Sequence, residues 1–433
     1  MVQKMRKMKD SGIEWIGEIP EGWEIVPVRS CFDEVRTKNT DGQEQNALQF
    51  KSGNIISKTN FNASMDDYVA DTITNYTVVL PDTVMINGLN LNYDFKSLRV
   101  ALVKEKGVIT SAYLAIFPDR KKISPQYATY LFKGYETKMA FHNMGAGIRK
   151  TLGYKEFKNQ PLLLPSEKEQ NKISAYLDSK CSHIDIMLSK IRSSIEEYKK
   201  LKQTVITQAV TKGVRGEREM KDSGVKWIGE IPKEWVIQKI KSISSRINVG
   251  VVIRPSEYFD ENGTVPFLRG INVKEYLISS DNMVYINESS NHILSKSQVH
   301  TDDILIVRDG SIGTSCVVPA EFDGANVVSM VIATPSISCD SRFICYSLNS
   351  DVGKTQFTLT KIGSALTHTS VSAVSDIIVA VPSCAEQKEI ADYLDAKCVE
   401  IDGLIAKKEQ LVKELESYKK SLIYEVVTGK REV

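Results

Sequence analysis

Apolar residues between positions 184 and 205 fall in a four-three rhythm, Ile184, Leu188, Ile191, Ile195, Tyr198 and Val205, with polar and charged residues between them. That spacing holds one narrow stripe on a single helix face and predicts a coiled-coil seam. The rhythm returns as Ile401, Ile405, Val412, Leu415 and Leu422, with lysine on the seam at Lys408 and Lys419 and, in the first copy, at Lys202. Lys202 and Lys419 read as register-setting polar residues or as residues just off the interface. The alternative is that they face a phosphate or a partner helix.

Both seams belong to one duplicated stretch, 165–211 and 382–428, displaced by 382 − 165 = 217 positions with no gap. Under that shift Ser166, Glu169, Gln170, Ile173, Tyr176, Leu177, Asp178, Lys180, Cys181, Ile184 and Asp185 recur in register at 383–402. Pro165 followed by Ser166 and, three residues on, Glu169 reads as a helix start with a capping box, repeated by Ser383 and Glu386. Gly213 stands where a left-handed cap would close the first helix. At about 1.5 Å per residue each helix would be roughly 65–70 Å long. A helix of that length with one apolar stripe needs a partner, and the other copy in the same chain is the simplest; a second molecule is the alternative.

A second duplication precedes each domain. Lys9-Asp10-Ser11-Gly12-Ile13-Glu14-Trp15-Ile16-Gly17-Glu18-Ile19-Pro20, closed by Trp23, recurs from Lys221 to Pro232, closed by Trp235, and these segments hold all four tryptophans. Each reads as a surface clip pinned by two indoles, a binding role being the alternative. The expected order is clip 1–23, domain 24–165, helix 166–211, linker and second clip 212–235, domain 236–382, helix 383–428 and tail 429–433. Within the domains, β-prone runs at 76–80, 83–86, 113–117, 304–307 and 327–333 and helical patches near 125–139 and 341–357 predict an α+β fold with a curved or barrel-like sheet. The whole is expected to be two domains of mixed β-sheet and short helices, joined by two long helices in an antiparallel coiled coil with an internal pseudo-two-fold.

Composition changes this picture little. The chain has 433 residues, 42% hydrophobic, and a formal charge of +2, enough for two or three ordinary cores and neutral about partners. Seven scattered cysteines show no zinc spacing, the basic N-terminus lacks the apolar run of a signal peptide, and no stretch has membrane-span length, so a reduced, cytoplasmic setting is expected. An adenine methyltransferase would need an Asp/Asn-Pro-Pro-aromatic loop, and the chain has no Pro-Pro dipeptide. Gly353-Lys354-Thr355 lacks the earlier glycine of a phosphate loop, Leu348 standing in its place, and Gly-x-Gly-x-x-Gly is absent. Pro81-Asp82 opens no convincing nuclease motif, and the five histidines show no metal-ligand pairing. No catalytic residue and no metal site is expected. A self-contained enzyme thus lacks a motif, and a pure coiled-coil scaffold leaves two large unlike domains unexplained.

The doubled frame around unlike inserts resembles the specificity subunit of Type I restriction-modification systems. The resemblance is carried by the Trp-Ile-Gly-x-Ile-Pro clip, by Leu-Pro-Ser-x-x-Glu-Gln at 164–170 and Val-Pro-Ser-x-x-Glu-Gln at 381–387, and by the long helices. The segments 267–273, 303–310 and 147–150 look like pieces common in such recognition domains. The resemblance implies that each domain reads one half of a split, asymmetric double-stranded DNA target and that the helix pair sets the unread spacer. It also implies two methyltransferase subunits and restriction-translocase subunits as partners, with S-adenosylmethionine, ATP and Mg held there and no cofactor in this chain.

Reading base edges requires Arg, Lys, Asn, Gln, Ser or Thr on loops that reach a groove. In the first domain Lys51, Asn87, Asn90, Asn92, Arg149, Lys150 and Tyr154 have that chemistry in turn-like stretches. In the second, Arg254, Arg269, Asn272, Lys274, Arg308, Ser311, Lys361, Thr367 and His368 do. Each is equally compatible with a solvated surface or turn role.

Overall fold

The structure is a computed structural model and describes residues 6–51, 53–58, 73–148, 150–359 and 368–433. Contacts divide it into two units, Met1–Arg192 with Gln410–Val433 and Ser193–Glu409. Each unit therefore holds one clip, one domain, the first part of one long helix and the last part of the other.

The first unit opens with a hairpin of β1 (Met8–Asp10) and β2 (Glu18–Pro20), paired antiparallel from Met8↔Pro20. Its sequence is a set of turn instructions: the Asp10 carboxylate accepts the Gly12 N–H and the Ser11 hydroxyl accepts the Ile13 N–H, while Gly12 and Gly17 take positive φ. Strand β3 (Glu24–Pro27) then enters the domain. β4 (Phe32–Glu34), the β5/β6 hairpin (Leu48–Lys51, Asn54–Ser57), β7 (Thr77–Val79), β8 (Val84–Ile86), β9 (Val100–Leu102), β10 (Gly107–Ile109) and β11 (Leu114–Pro118) follow. Helices α1 (Pro125–Thr137), α2 (Ala140–Met144) and α3 (Tyr154–Phe157) come next, then β12 (Pro161–Leu164), which pairs with β3 and returns the chain to its starting point.

The central sheet runs β4-β11-β8-β9, all antiparallel. Successive side chains leave opposite faces, so Val84, Ile86, Leu114 and Ile116 join Tyr127, Leu131 and Phe132 of α1 in one core. Met85, Ala101 and Ala115 join Leu48, Ile55 and Val79 of the small two-stranded sheets in another. Burial on both faces is why these strands read as unbroken apolar runs.

The second unit repeats the plan. Its clip is β13 (Met220–Asp222) with β14 (Glu230–Pro232), and β15 (Val236–Lys239) leads into the domain. The domain contains β16 (Ser244–Val249), β17 (Val265–Leu268), the β18/β19 hairpin (Val273–Lys274, Leu277–Ile278), β20 (Val284–Ile286), α5 (Glu288–Ile293), β21 (Ile304–Val307), β22 (Ser315–Val317), β23 (Asn326–Val327) and β24 (Met330–Pro335). α6 (Ser341–Asn349), α7 (Asp351–Leu359), α8 (Val371–Ser375) and β25 (Ile378–Val381) complete it, with β25 paired to β15. The central sheet is β16-β24-β21-β22, the counterpart of β4-β11-β8-β9. Two expected continuous elements are broken: the 327–333 run splits around Ser329, whose φ is 50, and the 341–357 patch splits into α6 and α7. Each domain is built on a four-stranded antiparallel sheet flanked by smaller ones.

Helix α4 (Glu167–Lys212) begins in the first unit and ends in the second; α9 (Cys384–Val427) does the reverse. In the first unit, Asp185 takes the Lys419 ammonium at 2.6 Å and Arg192 pairs with Glu416, so numbering rises on one helix as it falls on the other. In the second, Lys202 binds Asp402 at 2.6 Å and Lys408 lies over the Tyr198 ring. Both halves are antiparallel. Of the seam positions, Ile184, Leu188, Ile195, Ile401 and Leu422 are buried, while Ile191, Tyr198, Val205, Ile405, Val412 and Leu415 are half-buried. Lys202 and Lys419, related by the 217-residue shift, thus meet the equally related Asp402 and Asp185.

Candidate nucleic-acid interface

What fixes each domain to its helix is the Glu-Gln pair at the helix start. The Ser166 carbonyl accepts the Glu169 and Gln170 N–H groups, but the Glu169 carboxylate does not close the expected capping box. It accepts the Trp23 indole N–H at 3.0 Å and an Arg6 guanidinium that also covers the Trp23 ring. Glu386 repeats this with Trp235 and Arg218. One indole per clip is fully buried; Trp15 also packs, edge-on against Tyr135, so the first clip is pinned by two indoles, whereas Trp227 is exposed and the second clip is pinned by Trp235 alone. Buried Gln170 accepts the Ser124 N–H and donates to the Lys122 and Pro165 carbonyls, and Gln387 does the same for Asp340, Ser338 and Pro382. Glutamate holds the clip, glutamine the domain.

At another edge of each central sheet lies a pair of loops. In the first unit, residues 87–99 join β8 to β9 and are zipped to residues 145–153 before α3: Leu152 donates its N–H to the Gly88 carbonyl at 2.9 Å and Leu91 to the Lys150 carbonyl at 3.2 Å. Gly88 leaves no room for a side chain, since a Cβ there would lie 2.4 Å from the Leu152 oxygen. In the second unit, residues 308–314 join β21 to β22, and the Thr369 N–H, just before α8, reaches the Arg308 carbonyl at 3.1 Å beside an Asp309–His368 bridge.

These loop pairs gather many of the residues singled out by chemistry. Asn90 and Lys150 are exposed with positive φ, and Asn87 and Asn92 are half-buried, the Asn92 amide donating to the Ile148 carbonyl. Arg308 is half-buried with its Nε–H on the Thr369 carbonyl, Ser311 is exposed, and His368 lies across from Asp309. Lys51 is exposed at the tip of the β5/β6 hairpin, Lys274 at the β18/β19 hairpin, and Arg254 is exposed against Glu257. Arg269 is tied to the Asn282 carbonyl. Arg149, Lys361 and Thr367 lie outside the described residues.

One of these expectations is corrected. Asn272 is fully buried, its amide spent on the Ser279 and Asp281 carbonyls and on the Arg269 N–H, so it shapes a turn and presents nothing outward. Tyr154 is half-buried and its hydroxyl donates to the Phe32 carbonyl at 2.6 Å, tying α3 to the sheet.

Sequence reasoning missed Arg99. It is 1% exposed, and its guanidinium donates to the Asn87, Leu89 and Asp94 carbonyls, so one buried cation shapes the whole 87–99 loop from beneath. Burial lowers its pKa, against the pull of Asp94 and Glu136. Hydrogen bonds from Ser97 and Lys96 hold the Asp94 carboxyl down at about 2, and burial pushes Glu136, which accepts the Arg99 N–H, up to about 7. No local signal in Ser97-Leu98-Arg99-Val100 marks the residue. Among the described residues no group of His, Cys, Asp or Glu could hold a metal ion, and no helix is long and apolar enough to cross a membrane.

The duplicated frame thus presents, in each unit, an equivalently placed loop pair of different chemistry. Residues 232–415 match the family model of the Type I restriction modification DNA specificity domain. The putative type I restriction enzyme MjaX specificity subunit of Methanocaldococcus jannaschii is 25% identical over 96% of this chain and 95% of that protein. The MjaVIII specificity subunit of the same organism is 24% identical over 95% and 93%. A chain from a structure on complex assembly and conformational transition of the type I R-M system superposes with a TM-score of 0.72 at 14% identity, covering 95% of this chain and 99% of that one. The HsdS subunit of Thermoanaerobacter tengcongensis gives 0.51 at 14% identity, covering 95% and 98%. Over nearly its whole length the chain is similar to specificity subunits of Type I restriction-modification systems, and residues 232–415 match the DNA specificity domain of that family.

Proposed function

We propose that this chain chooses the DNA sequence on which a Type I restriction-modification complex acts, each domain reading one half of a divided, asymmetric double-stranded target. The observation that carries this reading is the pair of equivalent loop pairs: frame residues recur, whereas the loops carry Asn87, Asn90 and Lys150 in one unit and Arg308, Ser311 and His368 in the other. Identical mounts with unlike side chains suit two half-sites of different sequence. The antiparallel helices set the unread spacer and dock two methyltransferase subunits. Methyl transfer to adenine, with S-adenosylmethionine, belongs to those subunits, and ATP- and Mg-dependent cleavage to restriction-translocase subunits; this chain supplies recognition inside the cell.

Sequencing of methylated adenines in a host carrying the intact system is expected to return one bipartite motif. Arg308→Ala is expected to weaken binding by about 1–3 kcal/mol and to relax a position in one half alone. An unaltered site list at unaltered affinity would remove Arg308 from the interface, and scattered methylation without a motif would remove the specificity reading.

A further inference from the structure

The 87–99 and 145–153 loops carry apolar surface that the fold does not use. Tyr93 is 73% exposed and Ile148 96% exposed, and exposed Phe95 stacks on the His142 ring with centroids 5.1 Å apart. Single exposed apolar residues are ordinary, but these stand together on the zipped loop pair, beside exposed Lys96 and Lys150. The surface is also pre-organised. Arg99 fastens the loop from below, the Asn92 amide holds the Ile148 carbonyl at 3.2 Å, and Asp94 turns its carboxylate inward onto the Lys96 and Ser97 N–H groups. The Asp94 carboxylate, next in the chain to Tyr93, is thus engaged within the loop, while Lys96 and Lys150 are exposed on the same loop pair. In the second unit, the counterpart loop 308–314 exposes Asp309, Gly310 and Ser311 and no large apolar side chain.

We infer that Tyr93 and Ile148 are specificity-determining residues that pack against a thymine methyl group in the major groove of the half-site read by the first unit, with Lys96 and Lys150 on the flanking phosphates. The inference rests on the DNA-recognition reading above. The thymine 5-methyl is the apolar group that a base edge offers in that groove, and lysine beside an apolar contact matches a methyl beside phosphate. Methyl packing then adds, in that half-site, to the hydrogen bonding open to Asn87 and Asn90.

The test uses the full chain assembled with its methyltransferase partners and synthetic duplexes carrying the site found by methylation sequencing, with each thymine replaced in turn by uracil, which lacks only the methyl. Loss of one buried methyl contact corresponds to about fourfold weaker binding. Uracil at one position, in one half, is expected to weaken wild-type binding by about that factor. Tyr93→Ala and Ile148→Ser are expected to bind the thymine duplex more weakly and to lose sensitivity to uracil, while Tyr93→Phe keeps it. Both side chains are exposed, so unchanged thermal midpoints check that the variants are folded. The contact is overturned if every uracil duplex binds the wild type within twofold of the parent, or if both variants retain full uracil sensitivity. A wild-type system that methylates no divided site instead sinks the specificity reading, and the contact with it.

Discussion

Glu136 stands at the foot of the 87–99 loop, accepting the Arg99 main-chain N–H, and burial lifts its carboxyl from an ordinary 4.5 to about 7. The folded chain holds that proton more tightly than the unfolded chain, so the stabilisation is greatest at low pH and is lost as pH rises from about 4.5 to about 7. Glu136→Gln is expected to flatten this part of the profile, seen as urea midpoints for the first unit that no longer fall between about pH 5 and pH 7.5; an unchanged slope would refute it. The difficulty of reading single residues from sequence has the same origin. Asn272 and Asn90 carry one functional group in similar turn-like surroundings, yet Asn272 spends its amide on neighbouring backbone groups and Asn90 is exposed. Local composition does not encode which way an amide points, and Arg99 acquires its role only when the loop closes over it.

At the scale of elements, periodicity carried most of the information. The four-three stripe marked the helix pair because an antiparallel seam requires that spacing, and the apolar runs marked β8 and β21 because both faces of each sheet are covered. The lysines on the stripe were visible, but their meaning needed the register: Lys202 meets Asp402, and Lys419 meets Asp185. Lys202→Glu is expected to destabilise the second unit by about 1 kcal/mol, and adding Asp402→Lys to recover most of it, as measured by urea unfolding of the two variants. Equal stability of all three proteins would show the pair to be ornamental. The Ser-x-x-Glu-Gln segment was read correctly as a helix start and incorrectly as a capping box, since the partner of its glutamate lies 146 residues away in the first copy.

For the molecule as a whole, the duplication was legible because frame residues repeat in register, whereas the match between the 87–99 and 308–314 loops was not, their lengths and sequences sharing nothing. Only the common sheet order exposes it. Both units are threaded on the same two continuous helices, so one heptad added to each, after Arg192 and before Gln410, keeps the seam in phase. Such a change adds about 10 Å of helix, or about three base pairs of duplex. Methylation sequencing of the lengthened protein is expected to return both original half-sites with the gap widened accordingly; an unwidened gap would separate the helices from any measuring role.

The lock that closes each clip draws its arginine, tryptophan and glutamate from the repeated scaffold, with none borrowed from the 87–99 or 308–314 loops. Substitutions at the tips of those loops leave the lock untouched. Such a chain can change allegiance from one address to another while keeping its shape.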